Sequence, residues 1–162
     1  MKSLVISPHP DDEILGCGGT LFKRIAQKHE LGWIIVSSAS EKLGWSKIKL
    51  SKRKKEINEI RELLKIKKKN FFSLDFETST LSDISFEALV ASLKSALDLF
   101  KPNEVFIPSL SDVHSDHRIV FDAASSCCKP FRLKSIKKVL SYETISESNF
   151  YLDRKSSFNP NY

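Results

Sequence analysis

Apolar and polar positions alternate along the chain in two periods. Short β-rich runs occur at "KSLVIS" (2–7), "GWIIVS" (32–37), "NFFSLD" (70–75), "EVFIPS" (104–109) and "KKVLSYE" (137–143). Each is short, apolar and bounded by polar residues or breakers, which predicts five strands. Helical spacing fills the intervals. Residues 14–30 put Leu15, Leu21, Phe22, Ile25 and Ala26 on one expected inner side, and 48–65 place Ile57, Ile60, Leu63 and Leu64 at helical spacing. The strongest stripe is Phe86, Leu89, Val90, Leu93, Ala96, Leu97 and Phe100 over 85–100, where Ser85 can cap the helix and Pro102 follows its end. A fourth helix is expected over 116–128.

Strands alternating with helices imply crossover connections and a mostly parallel sheet covered on both faces. The expected fold is α/β and Rossmann-like, with strand order 3-2-1-4-5. Such sheets bind ligands beyond the carboxyl ends of their strands, where the winding reverses. Here that point lies between the first and fourth strands.

Composition narrows the class. A chain of 162 residues with 41% hydrophobic and 28% charged positions suits one globular domain. No apolar stretch is long enough for a transmembrane helix and "MKSLVIS" does not resemble a signal peptide. The three cysteines, Cys17, Cys127 and Cys128, do not suggest a disulfide framework, so reduced core thiols and a cytoplasmic location are expected. The net charge of +6 is concentrated in 47–69, which holds eleven Lys/Arg against three Glu. Without interleaved aromatics this reads as a solvated helix face, and nucleic acid is not expected as a partner.

The chemistry sits at the two strand ends that flank the reversal. "SPHPDDEILGCGG" (7–19) follows the first strand and "HSDH" (114–117) follows the fourth. Three of the chain's four histidines fall in these motifs; only His29 does not. Crowded carboxylates beside imidazoles call for a cation. His9 and Asp12 are close enough in sequence to chelate one divalent ion, with His117 as third ligand from across the crevice. This His₂Asp set leaves a position open and favours Zn²⁺, with another divalent metal as the alternative. Asp11 is then free to act as general base toward water. His114, protonated, suits oxyanion stabilisation, and Asp116 suits orienting the His114 ring. The glycines of "GCGG" form no dinucleotide fingerprint and are read as allowing close helix packing. No G-x-S-x-G, P-loop or C-x-x-C occurs, which disfavours serine hydrolases, NTPases and thioredoxin-like enzymes.

"PHPDDEILGCGGTL" (8–21) paired with "HSDH" resembles the PIG-L/LmbE family of zinc-dependent N-acetylglucosaminyl deacetylases. The similarity extends through "RKKEINEIRELLKI" (53–66), "KPNEVFIPSLSDVHSDH" (101–117) and "SYE" (141–143). The resemblance implies a Rossmann-like fold, zinc on His9, Asp12 and His117, Asp11 as base and His114 as oxyanion stabiliser. It also implies that Arg53 contacts sugar hydroxyls. Family members continue beyond the point where this chain stops, and "SSFNPNY" (156–162) reads as the start of a further strand and helix. The chain is therefore read as one LmbE-like domain, 1–162, with the family's C-terminal segment expected to be missing. A bared sheet edge would then favour homo-oligomers.

The expected activity is zinc-dependent removal of the acetyl group from an N-acetylglucosamine-type sugar, free or attached to a lipid, nucleotide, thiol precursor or glycan. The substrate loop is expected at "SSASEKLGWSK" (37–47), where Trp45 can stack on a sugar face. The alternatives are a zinc amidase acting on a non-sugar amide or thiol conjugate, and a non-catalytic sugar-binding or assembly module.

Overall fold

All five apolar runs form strands in the computed structural model, which describes residues 1–148, 150 and 158–162. Chain order is β1 (Lys2–Ser7), α1 (Asp12–Ala26), β2 (Glu30–Ser38), α2 (Lys47–Leu63), β3 (Phe71–Glu77), α3 (Phe86–Phe100), β4 (Glu104–Pro108), α4 (Ser115–Cys127), β5 (Lys138–Tyr142) and the short α5 (Ile145–Ser148). The sheet order is β3-β2-β1-β4-β5, as expected, and every pairing is parallel. Residues 156 and 157 of the anticipated further strand and helix lie outside the described residues.

Strand alternation divides the core into two layers. Leu4, Ile6, Ile34, Val36, Val105 and Ile107 face α3 and α4, meeting Leu89, Leu93, Leu97 and Val120. Val5, Trp33, Ile35 and Phe106 face the opposite way, toward Cys17 and Leu21 of α1 and Ile57 and Ile60 of α2. Helices thus cover both faces, which satisfies strands that are apolar on both sides. Ser85 caps α3 by accepting a hydrogen bond from the Ala88 N–H at 3.2 Å, as its position predicts. Cys17, Cys127 and Cys128 are buried free thiols. No described helix is long and apolar enough to cross a membrane.

The inner side of α1 differs from the expectation. Leu15 and Phe22 are exposed, while Cys17, Gly18, Leu21 and Arg24 are buried. A kink at Cys17 (φ −141°) breaks the helical phase, so one continuous wheel misplaces the residues on either side. Gly16 sets the approach: a Cβ there would lie 2.2 Å from Cδ2 of Tyr142 and 2.9 Å from the Glu143 carbonyl oxygen. Only glycine lets α1 pass so close to the end of β5.

The pairing of β2 with β3 is also irregular. Ile35 pairs with Ser73 but Ser37 pairs with Phe76, so Leu74 and Asp75 oppose Val36 alone. This is a β-bulge, and Asp75 takes φ +55° to accommodate it.

Candidate metal centre and active site

Parallel pairing of β1 with β4 brings their carboxyl ends side by side. The segment after β1 supplies His9, Asp11 and Asp12; the segment after β4 supplies His114 and, on the first turn of α4, Asp116 and His117. His9 Nδ1 and His117 Nε2 are 3.1 Å apart, and Asp12 Oδ2 lies 3.5 and 3.4 Å from them. A tetrahedral shell with bonds of about 2.0–2.1 Å has ligand–ligand edges of about 3.3–3.4 Å. The three donors therefore form a triangle of the size that one zinc-like ion spans. His114 belongs to the same cluster, since one ring nitrogen of each of His9, His114 and His117 falls within a 4.8 Å group.

Hydrogen bonds decide which nitrogens are left free for an ion. Nε2 of His9 donates to Asp116 Oδ2 at 3.1 Å, and Nδ1 of His117 donates to Asp112 Oδ2 at 2.8 Å. Each imidazole is thus anchored by a carboxylate behind it and presents its other nitrogen to the triangle. His114 is arranged differently. Its Nδ1 accepts the Asp116 backbone N–H at 3.1 Å, so the neutral ring carries its proton on Nε2. Burial, and then the neighbouring His9 and His117, lower its pKa. The expected imidazolium is therefore corrected to a neutral N–H donor, which can still hydrogen-bond a developing oxyanion but is poorly suited as a ligand.

Asp116 requires a second correction. Its carboxylate was expected to orient His114, yet it binds His9 and accepts the backbone N–H groups of Ser79 at 2.7 Å and Leu81 at 3.4 Å. It is fully buried, so it positions His9 and cannot touch substrate. Only its main chain meets His114.

Within this donor set the carboxylates and imidazoles stabilise each other's charged forms. Burial opposes charge on His9 and His117, but their carboxylate partners outweigh it and raise the pKa values to about 9 and about 10. Burial likewise opposes charge on Asp12, and the two imidazoles override it to hold the carboxyl well below the usual range. Glu13 goes the other way. Burial, aided by the charges of Asp12 and Asp11, pushes it up to about 8. It sits behind Ser7, whose hydroxyl donates to Glu13 Oε2 at 3.3 Å and accepts the Trp33 indole N–H at 3.0 Å. Burial thus favours the neutral form of one of the three crowded carboxylates, which relieves part of the repulsion evident in the motif.

Asp11 is exposed and ion-paired with Arg53 at 3.1 Å. Both line one cavity of about 700 Å³ with His9, Asp12, His114, His117 and Trp45. All the residues singled out in the sequence therefore lie in or directly behind this site. Asp112 was missed, although a carboxylate five residues before a candidate ligand histidine was a usable signal. His29 lies elsewhere, its Nδ1 2.8 Å from the Ser3 hydroxyl near the start of β1.

No curated protein matches the sequence. Among solved structures, the chain is similar to the conserved protein TT1542 of Thermus thermophilus, with 27% identity and a TM-score of 0.70, over 87% of this chain and 65% of that one. It is similar to the N,N'-diacetylchitobiose deacetylase of Pyrococcus horikoshii, with 26% identity and a TM-score of 0.62, over 83% and 53%. The chain thus spans less than two thirds of either protein. It shares its fold with GalB, the 4-carboxy-2-hydroxymuconate hydratase of Pseudomonas putida, at 21% identity and a TM-score of 0.59, over 78% and 55%. A family model described as GlcNAc-PI de-N-acetylase matches residues 4–128, most of the chain, and with it the two histidine motifs that build the site: this protein belongs to the PIG-L family.

Proposed function

We propose that the protein is a metal-dependent amide hydrolase that releases acetate from an N-acetylated amino sugar. The observation that carries this reading is the triangle of His9, Asp12 and His117 with its 3.1–3.5 Å edges, facing a cavity shared with Asp11 and His114. His9 and His117 through nitrogen, and Asp12 through oxygen, would hold the ion, and the set suits Zn²⁺. A divalent cation there supplies Lewis-acid activation of water and of the acyl oxygen.

The chain's own groups perform the proton transfers. Asp11 is accessible and not needed in the triangle, so its carboxylate takes a proton from the attacking water. Nε2–H of His114 hydrogen-bonds the oxygen that becomes negative as water adds to the acetyl carbon. Asp11 then returns the proton to the departing amine nitrogen, so acetate and a free amine leave. Arg53 pairs with Asp11 and faces the cavity, where its remaining N–H groups suit sugar hydroxyls. Trp45, on the same wall, offers a ring face to the sugar.

The test is acetate release from a panel of N-acetylglucosaminides and non-sugar amides, with and without chelator. Chelator-sensitive release from the sugars is expected; release only from other amides would overturn the sugar assignment. Asp11→Asn should lower turnover by about 10²–10⁴-fold while elemental analysis still finds the ion. Near-normal rates in that variant would remove Asp11 as the base.

A further inference from the structure

The segment that ends β3 and follows it, "ETSTLSD" (77–83), is polar and contains no glycine. Ser79 nevertheless takes a left-handed backbone (φ +61°), in which a Cβ crowds the following carbonyl oxygen. Its side chain does not account for this: it is exposed and, among the described residues, makes no hydrogen bond.

The main chain does account for it. The Ser79 N–H donates to Oδ2 of Asp116 at 2.7 Å, and the Leu81 N–H approaches Oδ1 of the same carboxylate at 3.4 Å. Backbone N–H groups that converge through a left-handed residue form a concave seat for an anion. Here the anion is a side chain of the protein itself, with no solvent contact of its own. A buried carboxylate needs such donors to remain charged. The seat is in turn fixed at both ends. The Thr78 N–H donates to the Ser38 carbonyl at 3.2 Å, and the Thr80 hydroxyl donates to the Glu77 carbonyl at 3.0 Å. Leu81 is buried in the core layer that faces α3 and α4.

Oδ2, the oxygen that Ser79 holds, is also the one that accepts Nε2–H of His9 at 3.1 Å. Were the Ser79 N–H turned away, the carboxylate would be free to rotate and His9 would lose the partner that directs its Nδ1 toward the triangle. The geometry points to Ser79 as a positioning residue of the metal centre. Its left-handed main chain, and not its hydroxyl, seats Asp116 so that His9 presents the correct nitrogen. Metal affinity is thus set in part by a turn that lies outside both histidine motifs. This rests on the metal-centre reading above.

The test contrasts Ser79→Gly with Ser79→Val. Zinc affinity is read by competition with a chromophoric chelator, and the melting temperature of the metal-free protein shows that each variant folds. Glycine keeps the N–H and enters the left-handed region freely, so affinity should stay within about two-fold of the unsubstituted protein. Valine also keeps the N–H, but its β-branch drives it out of that region, and affinity should fall about ten-fold. Asp116→Ala should lose about 10–100-fold, and adding Ser79→Val to it should change affinity by less than about two-fold more. Equal affinity in the glycine and valine variants, a loss in Ser79→Gly, or a valine effect that is the same with and without Asp116 would each overturn the proposal. If Asp116→Ala does not fold, the glycine–valine contrast decides alone. Unsubstituted protein that binds no zinc would instead sink the metal-centre reading, and the proposal with it.

Discussion

Two buried carboxylates determine how the metal triangle is held. Asp112 accepts the N–H of His117 and Asp116 that of His9; Asp112 also takes the backbone N–H of His114, and Asp116 those of Ser79 and Leu81, so neither can turn away. Replacing Asp112 with Asn keeps the shape but removes the charge that favours a basic, correctly oriented imidazole. Metal affinity should fall by about 10–100-fold, read by competition with a chromophoric chelator; unchanged affinity would show that packing alone orients His117. The three donors were legible in the sequence because chelation needs nearby residues of a few types. The division of labour behind them was not. Asp112 and Asp116 flank the same histidines at similar spacing, and only the fold shows that Asp116 reaches back across the crevice to His9.

At the scale of elements, helix and strand positions were readable from periodicity, and their facing was less so. The burial of Leu21 and exposure of Leu15 follow from the kink at Cys17 and from the contact of Gly16 with Tyr142, a partner remote in sequence. Tyr142 is itself fixed, donating its buried hydroxyl to the Ile6 carbonyl at 2.8 Å. Gly16→Ala should therefore destabilise the fold by about 1–3 kcal/mol through forced displacement of α1, measured by denaturant unfolding. Gly19→Ala, where a Cβ meets nothing within 4 Å, is the control and should cost nothing comparable. The bulge in β3 was equally invisible, since "NFFSLD" reads as a plain strand until its register against β2 is known.

For the whole molecule, strand–helix alternation was enough to give the topology, and the topology placed both histidine motifs at one crevice. The metal-free protein should carry a distinctive pH dependence. His9 and His117, raised to about 9 and about 10, hold protons that an unfolded chain releases near pH 6.5. Their stabilisation is complete below that point and is lost as pH rises through 9–10. Glu13, raised to about 8, acts with the same sign at lower pH. The melting temperature of chelator-treated protein should fall between pH 6.5 and 9.5, and metal affinity should rise over part of that range as protons compete less. A melting temperature that climbs toward pH 9.5 would contradict these shifts.

The pairing of β1 with β4 also has a mechanical side. The recorded register joins only Ser3 to Glu104, Leu4 to Val105 and Val5 to Phe106. This short seam unites the β1–β2–β3 half of the sheet with the β4–β5 half, and the two candidate histidine ligands, His9 and His117, stand on opposite sides of it. A cation seated between them would be a rivet through the joint: loading at 100 times the dissociation constant would add about 2.7 kcal/mol to the folded state. Withholding such an ion would therefore loosen the architecture first where the two halves meet.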